Sequence, residues 1–182
     1  LKEKGSKMSN YKESFNNRKK HNIAEDQAIQ YYNSIDCFYT RYGLDLLNSG
    51  LSKKDFCKIP SMIRNTPDYL VIQKTSWLVE VKGCKDYLRM KLIDLSYYKK
   101  WNDICPVIYF IYSTIYKRHI QLPHRILESM IRHSDSKHDN YPVKQYFDNN
   151  KFYHEIPVDD LYYKADNLSK LNNNKTVLDR GL

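Results

Sequence analysis

The sequence predicts an α/β fold in which one sheet is covered by helices on both faces. Three stretches carry that reading. Residues 66 to 83 hold two short runs rich in Val, Leu, Ile, Trp and Tyr on either side of a turn, the pattern of a β-hairpin. Beyond Gly83, apolar residues recur at helical spacing. Val107 to Tyr112 is an unbroken apolar and aromatic run, as expected of a buried central strand. At 182 residues the chain is long enough for one domain with a real core.

Residues 1 to 20 carry seven basic and two acidic side chains and end in Arg18-Lys19-Lys20. They read as a basic tail that either grips phosphates without reading sequence or simply solubilises the end. From Asn22 to Tyr42, apolar residues at Ala24, Ala28, Tyr31, Ile35, Phe38 and Tyr42 predict a helix stopped by Gly43. Between 44 and 65 the boundaries stay open. Leu44 to Leu47 could extend or restart a helix, Ser52 could cap another containing Phe56, and Ile59 to Ile63 could be the first strand of the sheet.

Lys85 to Asp103 reads as an amphipathic helix with Met90, Ile93, Tyr97, Trp101 and Ile104 along one stripe. Pro106 then opens the buried strand, and Lys117 to Leu122 is expected to be the next one. Pro123 stands at the first turn of a helix using Ile126, Leu127, Met130 and Ile131. Ser134 to Asn140 is a polar loop, Lys151 to Ile156 an edge strand ended by Pro157, and Val158 to Tyr163 a short turn. From Lys164 onward Asn, Lys and Asp dominate, so a weakly packed or disordered end is expected. The division is therefore a tail at 1–20, a folded domain at 21–163 and a polar end at 164–182.

The hairpin carries charges that an apolar strand would normally exclude. Strand alternation points Glu80 and Lys82 to one face and Trp77, Val79 and Val81 to the other. Asp68 reaches the Glu80 face only if the connecting loop has an odd number of residues. A three-residue loop at Gln73 to Thr75 sets Asp68 opposite Glu80; a two-residue loop at Lys74 and Thr75 sets it opposite Val81. The odd loop is the expectation, although it lacks the Gly such loops favour. Two carboxylates held together repel, burial worsens the repulsion, and a hard divalent cation resolves it. Mg²⁺ takes one or two carboxylates and fills its remaining positions with water and phosphate oxygens.

Pro67-Asp68, eleven residues, then Glu80-Val81-Lys82 resembles the PD-(D/E)XK nuclease superfamily, which includes many restriction enzymes and Holliday-junction resolvases. The resemblance spans mainly residues 22 to 112. It implies a mixed four- to five-stranded central sheet flanked by helices on both faces. It also implies Asp68, Glu80 and the Val81 carbonyl as ligands of Mg²⁺ or Mn²⁺, Lys82 as the catalytic lysine, and Glu25 as the first-helix glutamate that many members aim at the metal. Otherwise Glu25 is a first-turn acid favoured by the helix dipole. Lys85, Arg89, Lys91, Lys99 and Lys100 are candidate phosphate contacts, with a solvated helix face as the plain alternative, and Arg18, Lys19 and Lys20 add to them from the tail.

A net charge of +9 favours a polyanionic partner. The four cysteines lack C-x-x-C spacing and read as free thiols of a reducing compartment. The pairs His119/His124 and His133/His138 have no cysteine partners, so no zinc site is expected. No apolar run is long enough to span a membrane and the start lacks a signal-peptide core, giving an intracellular, cytoplasmic expectation. The Lys, Asn, Ile and Tyr bias suggests an AT-rich phage or mobile element. The expected activity is a metal-dependent DNA endonuclease, a site-specific cutter or nickase, with a homodimer needed to cut both strands. A junction resolvase, an RNA-processing nuclease and a non-catalytic basic nucleic-acid-binding protein are the alternatives.

Overall fold

The computed structural model describes residues 23–44, 49–132, 140–147 and 150–178, with side chains described as far as residue 170. Two sheets are built from eight strands: β1 (Phe38–Arg41), β2 (Tyr69–Ile72), β3 (Ser76–Cys84), β4 (Tyr87–Lys91), β5 (Val107–Ser113), β6 (Arg118–Pro123), β7 (Val143–Gln145) and β8 (Phe152–Pro157). The helices are α1 (Ile23–Ser34), α2 (Lys53–Lys58), α3 (Ser61–Arg64), α4 (Leu92–Ile104), α5 (His124–Ile131) and α6 (Val158–Leu178).

The main sheet runs β1-β2-β3-β5-β6 and the second β4-β8-β7. Within the main sheet β3 and β5 are parallel and the other pairs antiparallel, so the sheet is mixed. A parallel pair needs a crossover, and β4 with α4 supplies it. Alternation along the central strands builds two cores. Tyr69, Val71, Val79, Val81 and Phe110 pack against Ala24, Ala28 and Tyr32 of α1. Leu78, Tyr109, Ile111 and Leu122 pack with Tyr98 of α4, Leu127 of α5 and Leu161 of α6 on the opposite face. Both faces are thus covered by helices, as the sequence predicts. Burying each of these large apolar side chains is worth about 1.5–3 kcal/mol before the cost of chain ordering.

Several expected elements are replaced. The helix from Asn22 ends at Ser34, and Phe38–Arg41 is a strand paired with β2. Phe38 and Tyr42 fit the helical spacing, but Tyr39 and Thr40 favour β structure and complete the edge of the sheet. Ile59 to Ile63 is not a strand; Ser61–Arg64 is a helical turn. The first part of the expected helix at Lys85 to Asp103 is strand β4, whose Leu88 and Met90 are buried while Tyr87 and Arg89 are exposed. That period-two pattern is too short to outweigh the helical stripe downstream. Within α4 itself Ile93 and Ile104 are exposed, and Tyr98 is the buried residue. Strand β8 lies between β4 and β7 rather than at an edge. Finally, Val158–Leu178 is one helix where a short turn and a weakly packed end are expected, and Ala165 and Leu168 pack on the core.

The strand after Pro106, its neighbour β6 and the helix behind Pro123 lie where the sequence places them. Cys37, Cys57, Cys84 and Cys105 are all free thiols. No helix among the described residues is long and apolar enough to cross a membrane. The basic tail with Arg18, Lys19 and Lys20, together with His133, His138 and most of the polar loop, lies outside the described residues.

Candidate active site

The β2–β3 hairpin has the odd loop. Tyr69 pairs with Val79 and Ile72 with Ser76, leaving Gln73 to Thr75 as the turn, closed by the Gln73 N–H donating to the Thr75 carbonyl at 2.9 Å. Continuing that register by one residue sets Asp68 opposite Glu80. The Val81 N–H donates to Asp68 Oδ2 at 2.9 Å, which ties the carboxylate to the neighbouring strand. The main chain of Asp68 is held from the other side as well. Its carbonyl accepts from the Tyr42 and Gly43 N–H groups at 2.8 and 3.0 Å. Gly43 therefore serves close packing rather than helix termination: a Cβ there would stand 2.9 Å from the Pro67 carbonyl oxygen and 3.0 Å from Asp68 Cα.

Glu80 is buried, and Lys82 Nζ donates to its Oε1 at 2.5 Å. Asp94, in the first turn of α4, brings Oδ2 within 3.7 Å of the same ammonium. One turn along the helix, the buried Tyr98 is close enough to Glu80 for the carboxylate, after burial, to raise its pKa. Burial pulls the Lys82 ammonium towards deprotonation, but Glu80 and then Asp94 outweigh it and hold its pKa above the ordinary lysine value. Asp68 is pushed the other way from a free carboxylate. Burial, and after it the Glu80 charge, raises its pKa to about 7. Asp68 is therefore partly protonated near neutral pH, beside the buried Glu80.

These groups form the floor of a cleft of about 460 Å³. Glu25 belongs to it. Ala24 packs on Gly83, where an added Cβ would come within 3.3 Å of the Ala24 methyl, and this close approach brings the start of α1 beside Lys82. Glu25 Oε2 lies 3.3 Å from Arg41 Nη1, so it sits at the rim in an ion pair. Arg41, Arg64, Lys91 and Lys151 line the walls, giving an acidic floor below a basic rim.

No protein-family model matches the chain, and neither does any curated protein.

The predicted phosphate contacts divide. Lys91 lines the cleft, 3.9 Å from Asp94. Lys85 and Arg89 line an adjoining depression that also reaches Lys82, and Arg89 is engaged by Glu155 at 3.0 Å and by the Tyr153 ring. Lys99 bridges to Glu128 and Lys100 lies over the Tyr97 ring, neither of them lining the cleft.

Asp94, Tyr98, Arg41, Arg64 and Lys151 are absent from the sequence-predicted site. Only the Asp94/Tyr98 pair leaves a trace in the sequence, an i,i+4 polar spacing beside the apolar stripe. Among the described residues no three His, Cys, Asp or Glu side chains are grouped to hold a metal ion. A cation here would rest on two carboxylates and main-chain oxygen. That donor set is all hard oxygen, which suits Mg²⁺ or Mn²⁺ and no softer ion, and it would relieve the crowding that raises Asp68.

Proposed function

We propose that the chain is a Mg²⁺- or Mn²⁺-dependent endodeoxyribonuclease of the PD-(D/E)XK kind, hydrolysing phosphodiester bonds in DNA. The observation that carries this reading is the placement of Asp68 and Glu80 on one face of the β2–β3 hairpin, with Lys82 Nζ 2.5 Å from Glu80 at the floor of a basic-rimmed cleft. Asp68, Glu80 and the Val81 carbonyl would hold the cation. Its contribution when bound is Lewis-acid stabilisation of charge developing on the phosphate.

The chain's own residues supply the rest. Lys82, held protonated by Glu80 and Asp94, donates hydrogen bonds and so orients an attacking water or a phosphate oxygen; it is a poor proton acceptor in this state. Asp94 and Tyr98 hold the Lys82–Glu80 pair in place from α4. Arg41, Arg64, Lys91 and Lys151, which line the cleft, would take the flanking phosphates of the strand, and charge-assisted contacts of this kind give affinity without sequence information. Cutting both strands of a duplex would call for a homodimer with one such cleft per strand.

The test is digestion of supercoiled plasmid by wild type and by Lys82→Ala and Asp68→Asn, each with Mg²⁺ or with EDTA. Metal-dependent nicking is expected, with each variant slower by about 10²–10³-fold, the usual cost of one transition-state contact. Four-way junctions and RNA run alongside separate the resolvase and RNA-processing readings. Equal failure of wild type and variants on every substrate would sink the nuclease reading.

A further inference from the structure

Between α4 and α5 lies a partly open cavity of about 280 Å³ that shares no lining residue with the cleft. Leu92, Leu95 and Ile131 give it apolar walls, Lys99, His124 and Arg132 contribute donors, and Ser96, Glu128 and His154 complete the lining. This is just below the usual size range for pockets that hold drug-sized ligands, room for a small one.

His124 is 1 % exposed, yet its Nε2 has no hydrogen-bond partner. Its Nδ1 lies 2.9 Å from the hydroxyl of Tyr109, which is itself fully buried. A buried phenol must place its single proton on an acceptor, and His124 Nδ1 is the one beside it, so the imidazole proton resides on Nε2. The result is a buried N–H on the cavity wall with nothing to receive it. The Glu128 carboxylate, one helical turn along, is 3.8 Å from that nitrogen, too far for a hydrogen bond. Burial keeps the ring neutral by lowering its pKa, so it is a donor and not a counter-ion.

Lys99 Nζ and Arg132 Nη1 both lean on a single oxygen, Glu128 Oε1, at 3.2 and 3.3 Å. Two cations share one carboxylate, which leaves one positive charge over, and each retains further N–H groups. An N–H and two cations converge on one cavity with an apolar wall at Leu92, Leu95 and Ile131, and a bound anion would share the two cations with Glu128. A carboxylate has two oxygens to offer such a set, whereas a phosphate monoester has three. We propose that this cavity is a binding site for a small phosphate monoester, its phosphate met by His124 Nε2, Lys99 and Arg132 and its organic body lying against Leu92 and Leu95. The proposal is independent of the nuclease reading, because it draws on none of the cleft residues.

The experiment titrates the full chain with phenyl phosphate, inorganic phosphate and benzoate. Binding is followed by calorimetry and the His124 imidazole by ¹⁵N NMR. Phenyl phosphate is expected to bind most tightly and to shift the His124 Nε2–H resonance. Lys99→Ala and Arg132→Ala, both changes at exposed side chains, are expected to weaken it at least tenfold each while melting near the wild-type temperature. Lys53→Ala, a surface cation elsewhere, is expected to leave the affinity unchanged. An unmoved His124 resonance, equal losses in Lys53→Ala, or benzoate binding as tightly as phenyl phosphate would each overturn the assignment.

Discussion

At Asp68, burial and the Glu80 charge act in the same direction, and the consequence can be measured without any substrate. Its folded pKa of about 7 stands above the ordinary aspartate value of 3.8, so between those limits the folded chain keeps a proton that the unfolded chain has lost. The associated stability is fully present below pH 3.8 and is lost as pH rises through about 7, an effect of order 4 kcal/mol at most. Urea unfolding in EDTA across that range should show wild type losing stability that Asp68→Asn does not lose, and Mg²⁺ should recover part of it at pH 7. Parallel pH profiles for the two proteins would refute the coupling. Asp68, Glu80 and Lys82 are legible in the sequence because strand alternation is a local rule that two charges on one short strand obey visibly. Asp94 and Tyr98 leave only an i,i+4 spacing there, which does not name their partners, because Lys82 and Glu80 are twelve or more positions away.

Among the elements, the hairpin is aimed by its contacts with β1 and α1, and both contacts depend on a missing side chain. Gly43 lies against the backbone of Pro67 and Asp68, and neither the carbonyl oxygen nor the Cα can swing aside as a flexible side chain could. Gly43→Ala is therefore expected to displace Asp68, costing about 1–3 kcal/mol of stability. On the nuclease proposal, cleavage should fall by up to about 10²-fold, since catalytic positions tolerate little displacement. A thermal melt and the plasmid assay measure the two effects, and unchanged values in both would show that the strand yields at no cost. Element identity is only partly legible in the sequence. Phe38 and Tyr42 keep step with the helix before them, and Leu88 and Met90 alternate within a strand of only five residues. Their strand character comes from partners, β2 and β8, that are distant along the chain.

At the scale of the whole molecule, charge is distributed so that the cleft is acidic at its floor and basic around its rim, while residues 1 to 20 hold +5 of the net +9. If the tail grips phosphates, its removal should flatten the salt dependence of DNA binding by roughly 0.9 in log–log slope for each phosphate that it neutralises. The cutting rate on bound DNA should stay unchanged. Fluorescence anisotropy at several salt concentrations, on the full chain and on residues 21–182, measures this, and identical slopes would assign the tail to solubility alone. Local pattern is enough to specify the α/β class, the hairpin, the central strand and the placing of Glu80 and Lys82 on one face. Each of these follows from periodicity, turn length or charge within a few neighbouring residues. The edge strand at Phe38–Arg41, the second sheet, the basic rim of Arg41, Arg64 and Lys151, and the cavity holding His124 arise only when the chain is folded. Those features join segments far apart along the chain, and no local pattern encodes which distant surface a side chain will meet.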